Sequence, residues 1–170
     1  MDPEAERIRG YLQTQAAKLS IPDLCAKVET DMRQVYEAFS AFPDARWNDR
    51  PAAEEWSANE VASHLVSTSK SCSASIIRAM EKGEKPGTIR DQIEHGAEPK
   101  TPGDWWVALE QDRIALFQRL ATATGDEHLD VTWLHPMFGE LNWREWLLFL
   151  RIHDLDHARQ VQSIAQSLAG

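Results

Sequence analysis

Apolar positions recur every three or four residues through most of the chain. Leu24, Val28, Met32, Val35 and Phe39 follow this spacing, which lines one face of an α-helix. A helix is therefore predicted near residues 22–42, with Pro22 suited to a first helical position. Residues 4–20 are expected to form a separate short helix before it. Residues 43–56, broken at Pro43 and Pro51, read as a long loop.

The second long helix is predicted near 57–83. Ser57 and Glu60 have the capping-box spacing, and Gly83 suits a stop. Its inner stripe runs Val61, His64 or Leu65, Thr68, Cys72, Ile76 and Ala79. Residues 84–101 read as a polar loop. A third helix, near 102–124, opens with Thr101 as cap and Pro102 in its first turn, and Leu109, Leu116 and Leu120 carry its inner face. Residues 126–141 read as a loop, although Trp133, Leu134, Met137 and Phe138 make it very apolar. The last helix is predicted near 142–167, with Asn142 as cap, Glu145 at the capping-box position and the stripe Trp146, Leu150, His153, His157, Val161, Ile164 and Leu168. Four long helices and almost no alternating segment imply an all-α fold, a four-helix bundle. The expected division is an N-terminal extension, 1–21, and one domain, 22–170.

Composition narrows the function. The 170 residues carry a net charge of −9 and 42% apolar side chains, which suits one domain with a sizeable core. No window clusters Lys and Arg, so a nucleic-acid partner is disfavoured. No apolar run is long enough for a bilayer, so no membrane partner is expected. The start, MDPEAERIRG, lacks the apolar segment of a secretory signal. Cys25 and Cys72 have no paired spacing and read as reduced thiols. The expected location is the cytoplasm.

The candidate chemistry lies in the last helix. His153 and His157, four residues apart, stand one above the other on the inward stripe. That is the spacing two imidazoles need to share one metal ion. His64, on or beside the inner stripe of the second helix, is the natural third ligand. The competing reading of a buried histidine is a hydrogen-bonded core residue. Asp154 and Asp156 flank the pair, either to accept a ring N–H of a ligand or as solvated charges. Glu60 reads as a cap. His135 reads as lining a pocket mouth or as bracing the turn before Pro136. Trp133, Met137 and Phe138 read as a substrate wall or as core. His95 and His128 sit in predicted loops with no evident partner. No Glu-x-x-His motif occurs, so a di-iron carboxylate site is excluded.

The segments WSANEVASHL (56–65) and HPMFGELNWREWLLFLRIHDLDHARQ (135–160), together with the order of the helices, resemble the DinB-like (DinB/YfiT) superfamily. The resemblance covers about residues 22–166. It implies a four-helix bundle in which His64, His153 and His157 hold one divalent metal, zinc or nickel, with an open coordination position. By analogy with characterised members, it suggests a thiol S-transferase in which the metal activates a low-molecular-weight thiol, with Arg151 or Arg159 to hold an anionic thiol. A metal-dependent hydrolase using metal-bound hydroxide and a non-catalytic metal-binding stress-response protein are the alternatives. A small-molecule substrate and a homodimer are expected.

Overall fold

The computed structural model describes residues 2–87 and 96–170. Its helices are α1 (Pro3–Lys18), α2 (Ile21–Ala41), α3 (Ala58–Lys82), α4 (Pro102–Leu120) and α5 (Trp143–Ala169). A single 3₁₀ turn, Asp44–Arg46, lies between α2 and α3. Each predicted helix is present. α4 is the one that stops short, at Leu120 rather than near 124, and residues 121–123 continue as a turn.

Caps set the ends. Ser57 and Glu60 form a capping box at α3, Thr101 and Asp104 form one at α4, and Asn142 and Glu145 form one at α5. Gly83 ends α3 at φ +62°, a left-handed conformation that disfavours any side chain.

The bundle consists of α2, α3, α4 and α5. α5 packs on α2 and α3, while α4 packs on α2 and α3 from the other side. α1 lies against α5 and buries Ala5, Leu12 and Ala16. Arg144 ties it there: its guanidinium donates to the carbonyls of Ala16 and Leu19 at the end of α1 and to that of Gly125. The N-terminal extension thus shares the core of the bundle, with Ala5 and Leu12 among the side chains packed with Leu147 and Leu150.

The loop expected over 126–141 is corrected in its second half. Thr132–His135 (β1) and Gly139–Asn142 (β2) form an antiparallel hairpin, with Trp133 paired to Leu141 and His135 to Gly139. Trp133 and His135 point inward and Leu134 outward. Strands of four residues give too few alternations to stand out against a helical background.

The core has two apolar halves. One holds Leu24 and Val28 of α2, Cys72 and Ile76 of α3, Leu116 and Leu120 of α4, and Trp143 and Trp146 to Leu150 of α5. The other holds Val35 and Phe39, Val61 and Leu65, Trp105 and Leu109, and Val161 and Ile164 of the same four helices. Between the halves, buried polar side chains come together: His64, Thr68 and Ser69 from α3, Arg113 from α4, and His153, Asp154 and His157 from α5. A polar layer across a core is costly unless its groups are paired. Its arrangement therefore carries the functional information.

Candidate metal centre

His64, His153 and His157 are 7%, 7% and 8% exposed. One ring nitrogen from each lies within 4.8 Å of those of the other two, and the ring centroids are 4.4–5.4 Å apart. The Nε2 atoms of His153 and His157 are 3.1 Å apart. Two nitrogens each about 2.0–2.1 Å from one zinc stand about 3.3 Å apart at the tetrahedral angle and about 2.9 Å apart at a right angle. The observed gap lies between these values, so the pair fits one ion.

Protonation agrees with that fit. Nδ1 of His157 is 2.8 Å from Oε1 of Gln160. A carboxamide oxygen only accepts, so Nδ1 carries a hydrogen, and in the neutral ring that tautomer leaves the Nε2 lone pair for a metal. Burial, with His157 and His64 nearby, holds the His153 imidazole well below its ordinary pKa and keeps it neutral. Neutral imidazole is the form that binds a metal. Nδ1 of His153 has no hydrogen-bond partner among the described residues.

The triad opens into a cavity of about 560 Å³. Trp56, Ile8, Met137, Phe138, Phe149 and Ile152 give it apolar walls, and Asp2, Glu4, Asp156 and Arg159 lie along it. His135 lines it as well. Nδ1 of His135 accepts the backbone N–H of Met137 at 3.1 Å and of Phe138 at 3.2 Å, so this histidine both braces the turn and faces the cavity. Its ring stacks on Phe138 at 4.5 Å between centroids.

The other sequence candidates sort cleanly. Asp154 does not serve a ligand histidine. It is fully buried in a two-pronged ion pair with Arg113, and Gln160 takes the role proposed for a carboxylate. Asp156 is exposed at the cavity wall. Trp133 is core and stacks on Trp146, whereas Met137 and Phe138 line the cavity. Arg151 is engaged with Asp31 and Tyr11, which leaves Arg159 as the arginine along the cavity. Glu60 is a cap and more. Burial alone raises its carboxyl, but Arg50 and the N–H groups of Ser57 and Gly96 outweigh that and hold it at about 2. His128 lies against Gly83 with φ +48°, and His95 lies outside the described residues. Cys25 and Cys72 form no disulfide, and burial pushes the Cys25 thiol up to about 11.

Sequence reasoning missed the contribution of α1 (Glu4, Ala5, Ile8) and its cap Asp2, and of Phe149 and Gln160. Gln160 had a signal, since an amide three residues after a ligand shares its helix face. The residues of α1 had none, because nothing local ties them to a site at the far end of the chain.

Fold and site together define a helical-bundle protein whose buried imidazoles can hold a divalent metal. Residues 28–161 match the DinB superfamily, and the chain belongs to it. The uncharacterized protein YuaE of Bacillus subtilis (strain 168) is 21% identical over 150 residues, covering 79% of this chain and 93% of that protein. Among solved structures, YfiT from Bacillus subtilis, described as a probable metal-dependent hydrolase with an unusual four-helix bundle topology, superposes with a TM-score of 0.71. It is 12% identical, with 89% of each chain covered. TT2238, a four-helix bundle protein, gives a TM-score of 0.62 at 18% identity, covering 85% of this chain and 99% of its own. At these identities the likeness concerns the fold.

Proposed function

We propose that the protein is a metal-dependent hydrolase of a small, largely apolar substrate. The observation that carries this reading is the convergence of three buried imidazoles on the floor of an open cavity with apolar walls. A metal on three histidines supplies a Lewis acid that lowers the pKa of a coordinated water or thiol. His64, His153 and His157 would hold it, and Gln160 orients the His157 ring through Nδ1. Phe149, Phe138, Met137 and Trp56 bind the apolar part of the substrate and exclude bulk water. Asp156 offers a carboxylate oxygen on the same wall to take the proton of the attacking nucleophile. The description of YfiT as a probable hydrolase agrees with this reading.

Thiol transfer is the second reading, and Arg159 favours it by placing a cation along the cavity for an anionic thiol. Water needs no binding area of its own, whereas a thiol must share about 560 Å³ with its electrophile, which is why hydrolysis is preferred. A homodimer, supported by the exposed side chains of Tyr36, Val107 and Ile114, belongs to the same proposal, as does a cytoplasmic location.

The test loads the protein with zinc or nickel and offers it a panel of esters and amides in ¹⁸O-water, with and without low-molecular-weight thiols. Label in the released acid, lost in His157→Ala, supports hydrolysis. Thiol consumption without label incorporation replaces it with the transfer reading.

A further inference from the structure

We infer that the buried Arg113–Asp154 pair is a positioning device for the three histidines and not a source of stability. Both side chains are 0% exposed. Nη1 and Nη2 of Arg113 donate to the two carboxylate oxygens of Asp154 at 2.9 and 2.8 Å. Nε of Arg113 donates to Ser69 Oγ at 3.1 Å, and Ser69 Oγ donates to Asp112 at 2.7 Å. The chain of bonds thus runs from α5, which carries His153 and His157, through α4 to α3, which carries His64.

Position on the helix gives this network its leverage. At about 100° per residue, Asp154 projects about 60° away from His157 and about 100° from His153 around α5. The histidines face the cavity while the carboxylate faces α4, so holding the carboxylate holds the rotation of α5. A rotation of about 20° moves a side-chain atom roughly 5–6 Å from the axis by about 2 Å. A working site tolerates about 0.5 Å. Apolar packing fixes that rotation less specifically, since cores repacked with other apolar side chains lose uniqueness before they lose stability. A planar two-pronged bond supplies that precision. Its effect on stability is small, because desolvating both charges offsets their attraction, and apolar replacement of such pairs is often neutral or stabilising.

The inference rests on the metal-site reading, and the experiment separates the two. Tag-free wild type, Arg113→Met/Asp154→Leu and Arg113→Lys are titrated with zinc(II) and cobalt(II) and melted in parallel. The double variant should keep its helical circular dichroism and its melting temperature or gain in it, while zinc affinity falls at least tenfold and the cobalt d–d bands change. Arg113→Lys keeps the charge without the fork, and should stay folded with weakened affinity. Wild-type affinity in either folded variant overturns the inference alone. Unfolding of both variants overturns it too, by making the pair a stability element. A wild type that binds neither ion defeats the metal-site reading together with the inference.

Discussion

Nε2 of His153 and Nε2 of His157 stand 3.1 Å apart in a buried layer of the bundle. Because Nδ1 of His157 gives its hydrogen to Gln160, only His153 can donate across that gap. A proton on His153 Nε2 and a metal ion are therefore alternative ways of filling it. Because the neutral His153 ring carries a single hydrogen, metal binding at Nε2 should shift it to Nδ1.

His157→Ala leaves two imidazoles for an ion that prefers four donors. Zinc affinity is expected to fall by orders of magnitude, measured by competition with a chelating indicator. The helical content should persist, because the apolar halves on either side of the layer do not depend on the imidazole.

Gln160→Ala removes the acceptor that sets the His157 tautomer. Loss of such a partner typically costs 10–100-fold in metal affinity. The same titration checks it, and an unchanged affinity would mean that water replaces the amide without loss.

Arg144→Met strips donors from the carbonyls of Ala16, Leu19 and Gly125. Stability should fall by about 2–4 kcal/mol in urea unfolding, given about 1–3 kcal/mol for each buried group left unsatisfied and partial rescue by water. Hydrogen exchange should show α1 protected least.

Glu60 gives the clearest pH dependence. Its carboxyl is held at about 2 in the folded chain, below its ordinary value of 4.5. The unfolded chain binds the proton more tightly, so the contribution is complete above about pH 4.5 and is lost as pH falls toward 2. Urea midpoints of the wild type should decline across that window, and those of Glu60→Gln should decline less.

Much of this was legible in the sequence. The helices followed from apolar spacing, and the capping residues Ser57, Thr101 and Asn142 sit where the sequence puts them. The inward direction of His153 and His157 followed from the same spacing, which left His64 on or beside its inner stripe, with Leu65 as the alternative. Two features escaped for physical reasons. The hairpin Thr132–Asn142 is too short for its alternation to register, and its inward residues, Trp133 and Leu141, resemble any apolar pair. The neighbours of Asp154 in the chain do not reveal its role, because its partner, Arg113, comes from α4. A sign of that was present: Arg113 falls on the stripe of Leu109, Leu116 and Leu120, and a cation on an inward stripe demands a buried anion.

The central claim is that His64, His153 and His157 together bind one divalent metal. The most direct measurement is the metal content of tag-free protein, equilibrated with zinc or nickel and desalted, beside the His64→Ala/His153→Ala/His157→Ala variant. One equivalent is expected in the wild type and none in the variant, with both equally helical. Stoichiometric metal in the variant, or none in the wild type, would contradict it.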